Sequence, residues 1–86
     1  MNTKVNSIGV ATINTPIMQL IQPYLSDGGL YYFLYDSDTP DNPNIGVSGT
    51  GLLAVYAKDY YKVIAFPFSS ATFAYYWSGN NWKEVN

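Results

Sequence analysis

Apolar and polar positions along the chain fall into short blocks, most of them at strand spacing. Ser7 to Asn14 (SIGVATIN) is β-branched with loose alternation and predicts a first strand. Thr15 and Pro16 then read as a helix start, Thr15 as the cap and Pro16 at the first helical position. Ile17, Leu20, Ile21, Tyr24 and Leu25 recur at i, i+3, i+4, i+7 and i+8, which is one apolar stripe on a short helix. Pro23 removes a helical hydrogen bond, so about two turns are expected, kinked or ended there. Ser26-Asp27-Gly28-Gly29 is a stop and turn. Leu30 to Tyr35 (LYYFLY) is a strand whose two faces are both apolar, which points to a central position or a covered second face. Asp36 to Ser48 is a loop, long for this chain and therefore functional or locally packed. Gly51 to Ala57 and Tyr60 to Phe66 form a hairpin about Lys58-Asp59. Ala71 to Trp77 is a further strand, with Ala71, Phe73, Tyr75 and Trp77 on one face. Ser78 to Asn81 is a hairpin loop, and Trp82 to Val85 closes the chain.

The order is strand, short helix, then strands joined mostly by short turns, which favour antiparallel neighbours. The expected fold is β-rich α+β: an antiparallel sheet of about four to five strands with one short N-terminal helix packed on it. One knob-like domain over residues 1–86 is expected, with Met1 to Asn6 as a flexible polar lead-in.

Size changes how that fold must be stabilised. A chain of 86 residues has a thin core, and this one contains neither Cys nor His. Disulfides and the usual structural zinc sets are therefore excluded. Large aromatic side chains or oligomerisation remain. Aromatics make up 17% of the chain and include nine Tyr, enough to enlarge the buried area. Tyr31-Tyr32, Tyr60-Tyr61 and Tyr75-Tyr76 each place one ring on either face of a strand. Half of these rings can fill a core. The other half belong under the helix, in a subunit interface or against a ligand.

Charge narrows the partners. Charged residues are 12% of the chain, with a net of −2 and Lys as the only basic type. Nucleic acid is not an expected partner, because phosphate recognition draws on clustered basic side chains. No apolar run reaches membrane-span length, so no membrane partner is expected. The opening MNTKVNSIGV lacks the apolar stretch of a secretory leader.

Catalytic patterns are equally sparse. No His can serve as base, and no Gly-x-Ser-x-Gly elbow occurs. Asp27, Asp36, Asp38, Asp41, Asp59 and Glu84 read as turn formers rather than a glycosidase pair. Asp36-x-Asp38-x-x-Asp41 has the oxygen richness of a calcium loop, but Pro40 stands where a ligand belongs. Gly49-Thr50-Gly51 lacks the helix and Lys of a phosphate loop and reads as the bend entering the Leu52 strand. The expectation is a non-enzyme with no cofactor and no metal. The candidate binding residues are Trp77, Asn80, Asn81 and Trp82. Two indoles beside two amides suit a sugar surface, and the same Trp pair suits a cross-strand clip.

Gly29-Leu30-Tyr31-Tyr32-Phe33, Asp41-Asn42-Pro43, Gly51 to Val55, Tyr61 to Phe66 and the closing run Phe73 to Val85 follow one another in an order and spacing that resemble the pyocin-knob-like domain of phage tail fibres and receptor-binding proteins. The likeness covers about two-thirds of the chain, from Gly29 onward. The family often carries an Arg in its last long strand, and this chain has none. The resemblance implies a virion protein, a trimeric homo-oligomer within a longer fibre, and a role in host adsorption or as a fibre spacer. A host cell-surface glycan is the partner it suggests. Two other classes fit the composition: a small stand-alone phage protein that inhibits a host protein, and a carbohydrate-binding module of a lysin.

Overall fold

The computed structural model describes residues 5–85 of the chain. Their elements are strand β1 (Asn6–Ala11), helix α1 (Ile17–Ile21) continued by a 3₁₀ turn (Gln22–Tyr24), and strands β2 (Gly29–Tyr35), β3 (Gly49–Ala57), β4 (Tyr60–Pro67), β5 (Tyr75–Trp77) and β6 (Trp82–Glu84). The fold is β-rich α+β, as the residue pattern indicates. The sheet has six strands in the order β1-β2-β3-β4-β5-β6, so every strand lies beside its neighbour in sequence. Of the expected lead-in, residues 1–4 lie outside the described residues, and Asn6 already belongs to β1.

All neighbours are antiparallel except β1 and β2, which are parallel. The reason is the helix between them: a parallel pair needs a long crossover, and residues 12–28 supply it. A register shift between Ser7 and Val10 marks a bulge in β1. Gly9 there has φ +108, a conformation that β-branched neighbours would resist. The bulge turns Ile8 into the core while leaving Val10 exposed.

The helix and the loop between β2 and β3 cover one face of the sheet. Beneath them Tyr31, Phe33, Tyr35, Leu53, Val63 and Ala65 meet Ile17 and Ile21 in one core. The loop is locally packed. Thr39 and Asn42 are buried polar residues: Thr39 Oγ1 donates to the Ala11 carbonyl at 3.0 Å, and Asn42 Nδ2 donates to the Val47 carbonyl at 2.9 Å.

Three local expectations change. Thr15 does not cap the helix; Pro16 occupies that position, and the capping acceptor is Asp41 from the distant loop. Gly49-Thr50-Gly51 is no bend but the start of β3. Its glycines lie in register with Tyr35 and Phe33, whose rings occupy the space a Cβ would need. Only Tyr75–Trp77 of the run Ala71 to Trp77 is strand. Ala74 is buried, and Phe73 packs edge-on against Phe66 at 5.7 Å, on the opposite face from Tyr75.

Candidate functional site

An antiparallel sheet with a solvated face normally alternates apolar inward and polar outward. Here the outward positions are apolar too. Leu30, Tyr32 and Leu34 of β2 are all exposed, as is Leu52 of β3. The register aligns them. Tyr32 faces Leu52, Leu52 faces Ile64, and Ile64 faces Tyr76, so one apolar row crosses four strands. A second row runs from Val10 through Leu34 and Thr50 to Phe66. Cross-strand neighbours of this kind touch one another, so the rows form a continuous surface.

At the β3–β4 turn end this surface deepens into an open groove of about 680 Å³. Ala54 and Gly29 leave its floor low, and Leu30, Tyr56, Tyr60 and Lys62 line it. The turn itself is tight, with Asp59 at φ 70. Tyr56 is 88% exposed and Tyr60 72%, which is rare for rings this large without a partner. The charged side chains at strand positions of this face are Lys62, opposite Ala54, and Lys83, opposite Tyr76. Of the described carboxylates Asp59, in the β3–β4 turn, lines the groove; the others lie in the loops and on Glu84, whose Oε1 accepts from Thr72 Oγ1 at 2.7 Å on the covered side.

The four residues picked out for sugar contact all lie at the β5–β6 hairpin. Trp77 and Trp82 are a cross-strand pair, with ring centroids 5.3 Å apart at 67°. Both are partly buried against the core, on the covered face. Trp82 Nε1 donates to the Asp41 carbonyl at 2.7 Å, which ties the last strand to the loop that caps the helix. Asn80 and Asn81 are exposed at the tip. Their side-chain oxygens lie 3.0 and 2.8 Å from Ser78 Oγ, whose single proton they compete for. The hairpin thus carries all four residues, the two Trp on the side of the sheet away from the apolar rows and the two Asn at its tip.

Asp41 is occupied by the helix N–H groups, and the Asp36 backbone supports Asn42. Among the described residues no cluster of three or more His, Cys, Asp or Glu side chains forms. The open face was only half legible in the sequence. The doubled tyrosines and the LYYFLY run signalled a second apolar face, but not that the helix and loop both cover the same side.

Comparison with protein-family models, with curated proteins and with solved structures returned no match.

Proposed function

We propose that this chain is a non-catalytic module of a phage-type tail fibre or receptor-binding protein, working by burial of its open sheet face in the assembled particle. The observation that carries the reading is the in-register row Tyr32–Leu52–Ile64–Tyr76. A face of this kind left in water is an aggregation hazard, and a protein surface over it removes that hazard. The virion setting, and the role in host adsorption or as a spacer, come from the knob-like order of motifs after Gly29. The absence of His and Cys from the chain fits a role without nucleophilic or metal chemistry.

The test is mass spectrometry of particles purified from the producing strain. The expected result is peptides of this chain in the particle, reduced or lost when Leu52 is changed to Glu. Peptides confined to the soluble lysate would overturn the reading.

A further inference from the structure

The open face has a definite extent. Its exposed large apolar side chains range from 41% exposed at Leu52 to 88% at Tyr56, with Ile64 and Phe66 half-buried among them. At ~200 Å² for a fully exposed large side chain they present on the order of 800–1,000 Å², against the ~800 Å² each partner buries in a standard protein interface. Such a patch is larger than the few hundred Å² ordinary on a monomer.

Its relief matters as much as its area. On β3 the outward residues run Thr50, Leu52, Ala54, Tyr56, so small and large side chains alternate along the middle of the face. Leu52 stands between two low positions, and the groove opens over Ala54. One surface therefore carries both projecting side chains and the hollows that would accept them. A closed two-fold interface requires that property, because the same patch must fit itself. Two sheets brought face to face pack ~10 Å apart with their side chains interdigitated. The thin single-sheet core adds a reason: an 86-residue chain without Cys gains a second apolar layer by pairing.

We infer that the open face is a self-association surface, and that its occupant is a second copy of this chain, seated sheet against sheet. The inference rests on the reading that the face is buried in the working assembly. Lys62 lies within the face, at the groove beside Ala54, and Lys83 extends from its β6 edge; their long stems can lie along apolar surface while the ammonium groups reach water.

Sedimentation equilibrium of the full chain over micromolar to millimolar concentration tests it. The expected result is a concentration-dependent species of twice the 9.6 kDa chain mass, a two-fold pair rather than the trimer that the knob-like resemblance implies. Leu52→Glu and, at the edge, Tyr76→Asp should each return the protein to monomer with an unchanged circular dichroism spectrum. Ser26→Glu, at an exposed position between the 3₁₀ turn and β2, should leave association intact. Should Leu52→Glu fail to fold, Tyr76→Asp and a nitroxide at Thr50→Cys carry the test. The nitroxide should report a short intermolecular distance that vanishes on dilution.

A chain monomeric at every concentration, or an oligomer that survives both face variants, overturns the inference. A monomer whose Leu52→Glu variant still drops out of purified particles overturns self-pairing alone and leaves docking on a different protein. A monomer whose face variants enter particles normally overturns both readings.

Discussion

Asp41 and Ile17 lie 24 positions apart in the chain, yet the Asp41 carboxylate accepts the Ile17 backbone N–H at 2.7 Å through Oδ1 and the Met18 N–H at 2.9 Å through Oδ2. The first turn of α1 thus takes its cap from the β2–β3 loop rather than from Thr15 beside it. A helix of one and a half turns has little stability of its own, so this contact fixes where the helix sits on the sheet. Asp41→Ala should cost about 1–2 kcal/mol in urea denaturation, as for other lost caps. Asp41→Asn keeps one acceptor and should cost less. Equal stability of Asp41→Ala and the native chain would mean that the loop contributes nothing to holding the helix.

The same residue holds the other end of the chain through its backbone. Trp82 Nε1 donates to the Asp41 carbonyl, so β6 and α1 meet at one loop position. Trp82→Phe keeps much of the ring packing with Trp77 and removes the N–H. A loss of about 1–2 kcal/mol is expected, the usual cost of leaving a partly buried acceptor unpaired. It should add to the Asp41→Ala loss, because the two contacts use different atoms. Strong non-additivity in the double variant would show that the loop moves as one body when either contact goes.

How much of this was legible in the sequence depended on range. The helix stripe Ile17, Leu20, Ile21 and the LYYFLY strand announce themselves because their periodicity is local. The cap is not legible because Thr15 and Asp41 are both residues that can cap a helix, and only the folded loop brings the Asp41 carboxylate to the N–H groups. Ala71 to Ala74 read as strand on alternation alone, yet Val85 N–H bonds to the Ala74 carbonyl outside any ladder. Gly49 and Gly51 looked like a bend because their reason lies across the sheet, in the rings of Tyr35 and Phe33. The open face followed the same rule: the doubled tyrosines placed rings on both sides, but which side is covered is a tertiary fact.

That cross-strand fit is testable at Gly51. Phe33 lies over it in register, and a Cβ there would meet the ring. Gly51→Ala should destabilise by about 1–3 kcal/mol, the range for overpacking a core. In a Phe33→Leu background the added methyl has room, so the same substitution should cost less. A double-mutant cycle with no coupling between the two positions would show that the ring is not what keeps residue 51 a glycine.

The β5–β6 tip separates structure from recognition. Asn80 and Asn81 are exposed, and among the described residues only the Ser78 hydroxyl lies within hydrogen-bond reach of their side-chain oxygens. Replacing both with Ala should change unfolding free energy by no more than about 0.5–1 kcal/mol, as at other surface sites. Retention of the double variant on host cell-wall glycan is the second measurement. Weakened retention at unchanged stability would make the hairpin a contact surface. Unchanged retention would assign the Trp77–Trp82 pair to holding β6 in place.

The last prediction concerns the hydroxyl of Tyr35. The side chain is fully buried, and its oxygen has no hydrogen-bond partner among the described residues. Burial, with a smaller contribution from Tyr75, pushes its pKa from 10.0 up to about 12. The neutral phenol is the form the fold tolerates. Below pH 10 the group is neutral in both folded and unfolded chains, and its contribution to stability is fully present. Between about pH 10 and 12 the unfolded chain loses the proton while the folded one keeps it. The folded state then binds more protons, so stability falls with rising pH and this contribution is lost by about pH 12. At 1.36 kcal/mol per unit the loss amounts to about 2–3 kcal/mol. Tyr35→Phe removes both the titrating group and the unpaired oxygen without changing the ring. Its stability at pH 7 should equal or exceed that of the native chain by up to about 1 kcal/mol, since an unbonded buried hydroxyl is a liability. Its melting temperature should also fall less steeply between pH 10 and 12. Parallel profiles for the two proteins across that window, or a large loss at pH 7, would mean that the Tyr35 hydroxyl is solvated or bonded in solution.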